Sequence, residues 1–235
     1  MEIITIYDNI ANDPQFKTDW GYACVINHPK KRILFDTGEH ANILEKNLHT
    51  ASIPIKSIDI LILSHLHSDH IGGANWVVEQ NPNVTVYIPD TFSKKLEHQL
   101  RIHCSNIIRV KKSISLAQND FHIILTKNIW IKEISLAITT PQSNILISGC
   151  SHSGINNILD EARKYIKQDI LTLFGGLHLL QTSDQNITKI AQKLKNSYLK
   201  KIAPCHCTGD KALTILKENF SDDFLINGVG AKFNL

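Results

Sequence analysis

Residues 58–70 read IDILILSHLHSDH, and this stretch decides both the fold class and the chemistry of the chain. The run from Ile58 to Leu63 is short, almost wholly apolar and rich in isoleucine, which is typical of a β-strand covered on both faces. Three histidines and one aspartate follow within six residues. The sequence therefore predicts a buried strand that ends in a loop crowded with metal-binding side chains.

The spacing of these polar residues favours a metal site over a surface cluster. His65, His67 and Asp69 alternate, so in an extended segment their side chains leave the backbone on the same side. His70 follows at once, and Gly72-Gly73 allows a sharp turn into the next element. Without a metal, the clustered imidazoles would need partners and would repel one another when protonated. A divalent metal resolves this by accepting lone pairs from neutral imidazoles.

The rest of the chain predicts strands first and then alternating strands and helices. Short β-branched or aromatic runs predict strands, and apolar residues at helical spacing predict helices. The predicted strands are Ile3–Tyr7, Tyr22–Ile26, Arg32–Phe35, Ile58–Leu63, Val84–Ile88, Phe121–Leu125, Ile129–Ile131, Leu136–Thr139, Ile145–Ser148, Ile170–Phe174 and Lys201–Ala203. The predicted helices are Ala41–Thr50, Ile155–Ile166, one capped by Ser183 or Asp184, and one that runs to about Asn219. This order favours a layered α/β sandwich.

Three later strands each end in a motif that carries a histidine. The motifs are GCSHSG at residues 149–154, GGLH at 175–178 and PCHCTG at 204–209. Loops at one edge of a sheet commonly carry chemistry on a rigid base. The three junctions therefore predict a shared site.

The pattern His-x-His-x-Asp-His after an apolar strand resembles the hallmark of the metallo-β-lactamase superfamily. Residues Ile33–Gly38 resemble the aspartate-bearing turn that precedes it in that family. More narrowly, the chain resembles the branch of dihydropterin-ribofuranosyl-aminobenzene phosphate synthase-like proteins and uncharacterised metal-dependent hydrolases. The blocks that carry this narrower resemblance are Asp8-Asn9, Gly21-Tyr22, Leu61–His65, Gly149–Ile155, Gly175–Leu179 and Cys205–Gly209.

The resemblance implies an α/β fold, namely an αββα four-layer sandwich formed by residues 1–235 as a single domain. It also implies a metal site in the loops of the inner sheets. Carried over residue by residue, His65, His67 and His152 hold one metal, and Asp69, His70 and His206 hold a second. Two departures from the wider superfamily matter. A usual histidine motif is missing between Thr85 and Ile145, where His98, His103 and His122 have no matching context, and Cys150 replaces the bridging aspartate.

Several side chains near these motifs admit two interpretations. Cys150 is either a soft ligand for zinc or a small buried residue near the site. His178 either contacts substrate and acts as a general acid, or it is a loop histidine whose ring nitrogens have hydrogen-bond partners and no role in function. Cys205 and Cys207 are interpreted as packing neighbours of His206, because a structural zinc site usually has at least two residues between its thiolates. Thr208 is expected to contact an anionic substrate together with His178.

Composition narrows the class of protein. Of 235 residues 43% are hydrophobic and 20% charged, as in ordinary globular domains, and the net charge of +3 is too small to indicate a nucleic-acid partner. No apolar run approaches the ~20 residues that span a bilayer, and no signal peptide is visible. Five cysteines, an odd number, indicate reduced thiols. We therefore expect a cytoplasmic protein with a small-molecule partner, no nucleic acid and no membrane.

The expected function is hydrolysis by metal-activated water. Coordination lowers the pKa of water from about 15.7 towards ~7, and Asp69 can orient that water. The substrate class is small and anionic, either phosphorylated or ester-like, and the metal is one or two zinc ions per chain, with manganese or iron as alternatives. Two other functions stay open: a synthase or transferase that acts on a pterin-like phosphorylated substrate, and a metal-binding regulatory protein without turnover.

Overall fold

The computed structural model describes residues 1–116 and 120–235, which divide into two compact units. The first unit comprises Met1–Lys111 and Gly228–Leu235, and the second comprises Lys112–Asn227. Each unit combines one β-sheet with α-helices, so the predicted α/β class is confirmed. That the whole chain acts as a single domain stays a prediction. In the described ranges, no helix combines the length and the apolar character needed to cross a bilayer.

The sheet of the first unit contains antiparallel strands at one side and parallel strands at the other. The strands are β1 (Glu2–Tyr7), β2 (Ala23–Asn27), β3 (Arg32–Phe35), β4 (Ile60–Ile62), β5 (Thr85–Pro89), β6 (Ile107–Val110) and β13 (Lys232–Asn234). Their order is β13-β1-β2-β3-β4-β5-β6, and β3, β4, β5 and β6 pair in parallel. Strand β4 is buried at every position, as its composition predicts. Strands β6 and β13 were not predicted because their runs are short and partly exposed.

Four α-helices belong to the first unit. They are α1 (Ala41–Thr50), α2 (Ser68–Ile71), α3 (Ala74–Gln80) and α4 (Lys94–Arg101). Leu44 of α1, Val77 of α3 and Leu100 of α4 share one apolar core with Leu61 and Val86 of the sheet. Burial of such side chains stabilises a fold by roughly 1.5–3 kcal/mol each. The unit therefore holds the loop after β4 on a rigid base.

The second unit places three parallel strands side by side. Its strands are β7 (Ile114–Ser115), β8 (Phe121–Lys127), β9 (Lys132–Thr139), β10 (Asn144–Ser148), β11 (Thr172–Gly176) and β12 (Lys201–Cys205), in the order β12-β11-β10-β9-β8-β7. Strands β8 and β9 pair antiparallel, as two of the strands of the predicted meander. Strand β7, which was not predicted, and strand β10 also pair antiparallel with them, whereas β10, β11 and β12 run parallel. The carboxyl ends of β10, β11 and β12 therefore lie next to one another.

Helices α5 (Ile155–Ile166), α6 (Asp184–Lys195) and α7 (Asp210–Phe220) cover this second sheet. The bounds of α5 match the prediction, and its residues Ile155, Ile158, Leu159 and Ala162 are buried, as the helical spacing indicates. Ser183 precedes α6 as its N-cap residue.

The predicted strand Ile129–Ile131 is wrong. The Asn128 carboxamide oxygen accepts hydrogen bonds from the backbone N–H groups of Trp130 and Ile131, both at 2.7 Å, which closes a turn between β8 and β9. Ile129 and Trp130 are 90% and 88% exposed, so these apolar residues lie at the tip of a loop and not in a buried strand. An asparagine side chain that bonds the backbone two residues onward is a recognised turn-former, and here it overrides β-propensity.

Candidate metal centre

The loop after β4 brings the three predicted histidines of the first unit into contact. His65 Nε2 lies 3.1 Å from His67 Nδ1, and the two rings meet edge-on with their centroids 4.6 Å apart. The His65 and His70 rings are 4.2 Å apart. His70 Nε2 lies 3.7 Å from an Asp69 carboxylate oxygen. All four residues predicted from the motif therefore converge on one point of this unit.

Asp36 orients this cluster through contacts with His70 and Ser64. Its carboxylate is fully buried and lies 2.7 Å from His70 Nδ1. It also accepts hydrogen bonds from the backbone N–H and the hydroxyl of Ser64, each at 2.7 Å, and that hydroxyl lies 2.8 Å from His65 Nδ1. A carboxylate on the outer nitrogen of a histidine fixes the tautomer that leaves Nε2 available as a ligand. Asp36 thus determines how His70 presents its lone pair.

The turn that carries Asp36 also fixes the backbone of the histidine loop. Thr37 donates from both its N–H and its hydroxyl to the carbonyl of His70, at 2.8 and 2.9 Å. The N–H of Gly72 donates to the Gly38 carbonyl. Gly72 and Gly73 form the predicted turn, between α2 and α3. A Cβ at Gly72 would lie 1.9 Å from the Glu39 carbonyl oxygen, so this position also requires glycine for a close approach.

The second unit gathers its own donors at the ends of β10, β11 and β12. The ligand atoms of Cys150, His152 and His178 all lie within 4.8 Å of one another, and the rings of the two histidines are 4.2 Å apart. Cys150, His206 and Cys207 form a second such group, also within 4.8 Å. The three junctions predicted to share a site therefore meet, because their strands are parallel neighbours.

A buried glutamate positions the His152 loop. Glu133 of β9 is 1% exposed, and its carboxylate accepts hydrogen bonds from the N–H groups of His152, at 3.1 Å, and Ser153, at 2.6 Å, and from the Ser153 hydroxyl. Burial raises the pKa of this carboxyl, while these hydrogen bonds act against that rise. The Asn128 carboxamide donates to the His152 carbonyl at 2.8 Å. The loop is thus held on both sides of its histidine.

The donors in both units fit a divalent transition metal. Two imidazole nitrogens bound to one tetrahedral zinc, with bonds of about 2.0–2.1 Å, lie ~3.3 Å apart. The 3.1 Å between His65 Nε2 and His67 Nδ1 is close to that spacing. Imidazole, carboxylate and thiol groups are the donor types that zinc accepts in proteins.

Sequence reasoning identified the histidines but missed the side chains that hold them. Asp36 was noticed only through family resemblance, and Glu133 was not noticed, although an acidic residue inside an apolar strand is a signal for a buried role. The structure also shows the positions of His122 and Thr208. His122 lies within β8, as predicted. The expected contact of Thr208 with substrate is wrong, because Thr208 is fully buried and its hydroxyl bonds Leu177 N–H and the Cys205 carbonyl.

Comparison with known proteins shows what this chain is similar to. The family model of the metallo-beta-lactamase superfamily matches residues 21–125, which include the histidine loop. A curated relative from Methanocaldococcus jannaschii, 7,8-dihydropterin-6-methyl-4-(beta-D-ribofuranosyl)-aminobenzene-5'-phosphate synthase, is 29% identical, with 95% of this chain and 93% of the relative covered. The uncharacterized protein MJ0448 of the same organism is also 29% identical, with 96% of both chains covered.

Among solved structures, the chain is similar to Tm1679, described as a metal-dependent hydrolase of the beta-lactamase superfamily. The TM-score is 0.85 at 22% sequence identity, covering 100% of this chain and 99% of the other. At that identity the likeness shows the fold. The histidine motif, the family model that matches residues 21–125 and the two relatives that match along nearly the whole chain agree with it, so this chain has the metallo-beta-lactamase fold and resembles the superfamily of that name.

Proposed function

We propose that this protein is a metal-dependent hydrolase that acts on a small anionic substrate, either phosphorylated or ester-like. The observation that carries the proposal is the convergence of His65, His67, Asp69 and His70, with Asp36 presenting His70 in the ligand tautomer. A fold requirement does not explain such a cluster, because buried titratable groups are costly unless paired or coordinated. The match of residues 21–125 to the family model of the metallo-beta-lactamase superfamily supports the same interpretation.

We further propose the division of ligands that the family pattern implies. His65, His67 and His152 would hold one metal, and Asp69, His70 and His206 would hold a second, with Cys150 in the place of a bridging aspartate. Zinc is the proposed ion, one or two per chain, with manganese or iron as alternatives. When bound, such an ion supplies a Lewis acid that polarises a substrate oxygen and lowers the pKa of coordinated water.

The remaining steps fall to side chains of this chain. Asp69 is partly exposed, so its carboxylate can accept a hydrogen bond from the attacking water and orient it. His178 is exposed, and its ring lies against that of His152, so it can donate a proton to the leaving group. We propose these two residues as the catalytic acid–base pair.

A second candidate function follows from the relative that is named as a synthase. That protein is 29% identical along nearly the whole chain, and the product in its name is a phosphate ester. In this alternative the site would bind a pterin-like phosphorylated substrate and position it for condensation, with no net hydrolysis. Both candidates accommodate a small phosphorylated substrate, and they differ in whether water enters the product.

The experiment that separates these functions combines metal analysis with a substrate panel. Protein purified without chelator should contain between one and two equivalents of metal, mostly zinc. It should hydrolyse at least one member of a panel of phosphomonoesters, phosphodiesters, lactones and thioesters, with oxygen-18 from labelled water in the product. Product formation without label would favour the synthase. A metal-replete protein that converts nothing on the panel, pterin phosphates included, would overturn both enzymatic proposals and favour the regulatory function.

Replacing His178 tests its catalytic role separately from metal binding. His178→Ala should lower turnover by about 100-fold or more, the usual contribution of a general acid, while metal content stays unchanged. The comparison is His49→Ala, which removes an exposed histidine from α1 and should have no effect. Loss of metal from the His178 variant would make this residue a ligand, since its ring contacts His152, and would contradict the proposed role.

A further inference from the structure

Cys207 belongs to a cluster of metal-binding side chains, although the family resemblance does not make it a ligand. Its sulfur, the Cys150 sulfur and a His206 ring nitrogen lie within 4.8 Å of one another. All three residues belong to the second unit and are 5% exposed or less. The Cys207 thiol lies 3.7 Å from the Cys150 carbonyl oxygen, 57 residues away in sequence. The tertiary fold, and not local spacing, therefore brings these thiols together.

A zinc site formed by Cys205, His206 and Cys207 is disfavoured, because only one residue separates its two thiols. That argument does not apply to the present cluster. Cys205 is not a member of this cluster, and the second thiol comes from the loop after β10. Two sulfurs on one tetrahedral zinc, with bonds of about 2.3 Å, lie ~3.8 Å apart. Small side-chain rotations would bring donors that are within 4.8 Å to this spacing.

The backbone makes room for the Cys207 sulfur. The preceding residue, His206, adopts a left-handed conformation with φ of +52°, which is strained for a residue other than glycine. At Gly176 of β11, a Cβ would lie 2.6 Å from the Cys207 sulfur and 2.4 Å from the Gly149 carbonyl oxygen. The absence of a side chain at Gly176 is therefore what accommodates this thiol.

From this geometry we infer that Cys207 is a metal ligand, and that Cys150, His206 and Cys207 form a thiolate-rich site for a soft divalent cation. The inference deepens the proposed function and rests on its metal binding, but it adds a ligand and restricts the metal. Two thiolates and one imidazole select zinc or another soft ion over manganese or magnesium.

Cadmium titration tests the inference directly, because cadmium–thiolate bonds give an ultraviolet charge-transfer band that scales with the number of sulfur ligands. The full-length reduced protein is stripped with chelator and titrated with Cd²⁺. The wild type should show a band of two-thiolate intensity. Cys207→Ser and Cys150→Ser should each halve it and weaken affinity by more than about 100-fold, since loss of a group behind a ligand already costs about 10–100-fold.

The matched control is Cys205→Ala, which removes a buried thiol adjacent to His206 and should leave the band and the affinity unchanged. Circular dichroism and a second variant, Cys207→Ala, separate ligand loss from misfolding. A folded Cys207→Ser protein with full band intensity would overturn the inference.

These readouts need no turnover, so the inference and the proposed function can fail separately. A two-thiolate band in a protein that converts no substrate would support the inference and count against the hydrolase. Robust hydrolysis by a protein whose cadmium form shows no sulfur band would support the hydrolase and contradict the inference.

Discussion

Replacing His65 and His67 together with alanine should remove about one equivalent of metal and reduce turnover by at least about 1,000-fold, because the Lewis acid that activates water would be lost. The two facing nitrogens are 3.1 Å apart, so both residues should be ligands of the same ion. The measurements are elemental analysis of the purified variant and its rate on whichever substrate the panel identifies.

Two other histidines provide the control for this double substitution. His98 and His103 are exposed, in α4 and just after it, and lack the motif context. His98→Ala with His103→Ala removes the same number of imidazoles and should leave metal content and rate unchanged. If the His65/His67 variant kept its full metal content and rate, the ligand assignment for the first unit would be wrong.

The second large effect is expected at Asp36. Asp36→Ala should lower the free energy of unfolding by about 3–5 kcal/mol, because the substitution leaves the Ser64 N–H, the Ser64 hydroxyl and His70 Nδ1 without their buried acceptor. Urea denaturation of the metal-free protein measures this loss. Asp222→Ala, which removes an exposed carboxylate, should change stability by less than about 0.5 kcal/mol.

Asp36→Asn separates the role of this carboxylate in stability from its role in metal binding. The amide keeps one acceptor oxygen and nearly the same volume, so the variant should fold. Its NH₂ group would favour the His70 tautomer with the proton on Nε2, which removes the lone pair that a ligand needs. We therefore expect a modest stability loss together with metal affinity weakened by about 10–100-fold. A variant that folds and binds metal as the wild type does would show that Asp36 supports the fold alone.

Local patterns predicted most of the secondary structure, because residues that are close in sequence determine which helix face or which strand is buried. The spacing of Ile155, Ile158, Leu159 and Ala162 gave the helix α5 its bounds. Where local preference competed with side-chain chemistry, prediction failed. The apolar residues Ile129 and Trp130 predict a strand, but the Asn128 side chain closes a turn there.

The sequence by itself indicated the resemblance to the metallo-beta-lactamase superfamily, the fold class and the crowding of His65, His67, Asp69 and His70, since residues within six positions of one another cannot lie far apart in space. Only the tertiary structure decided which distant residues support them. Asp36 lies 34 residues from His70, Glu133 lies 19 from His152, and Cys207 lies 57 from Cys150. These pairs depend on which strands become neighbours and in which direction they run, and long-range backbone pairing leaves no local periodicity in the chain.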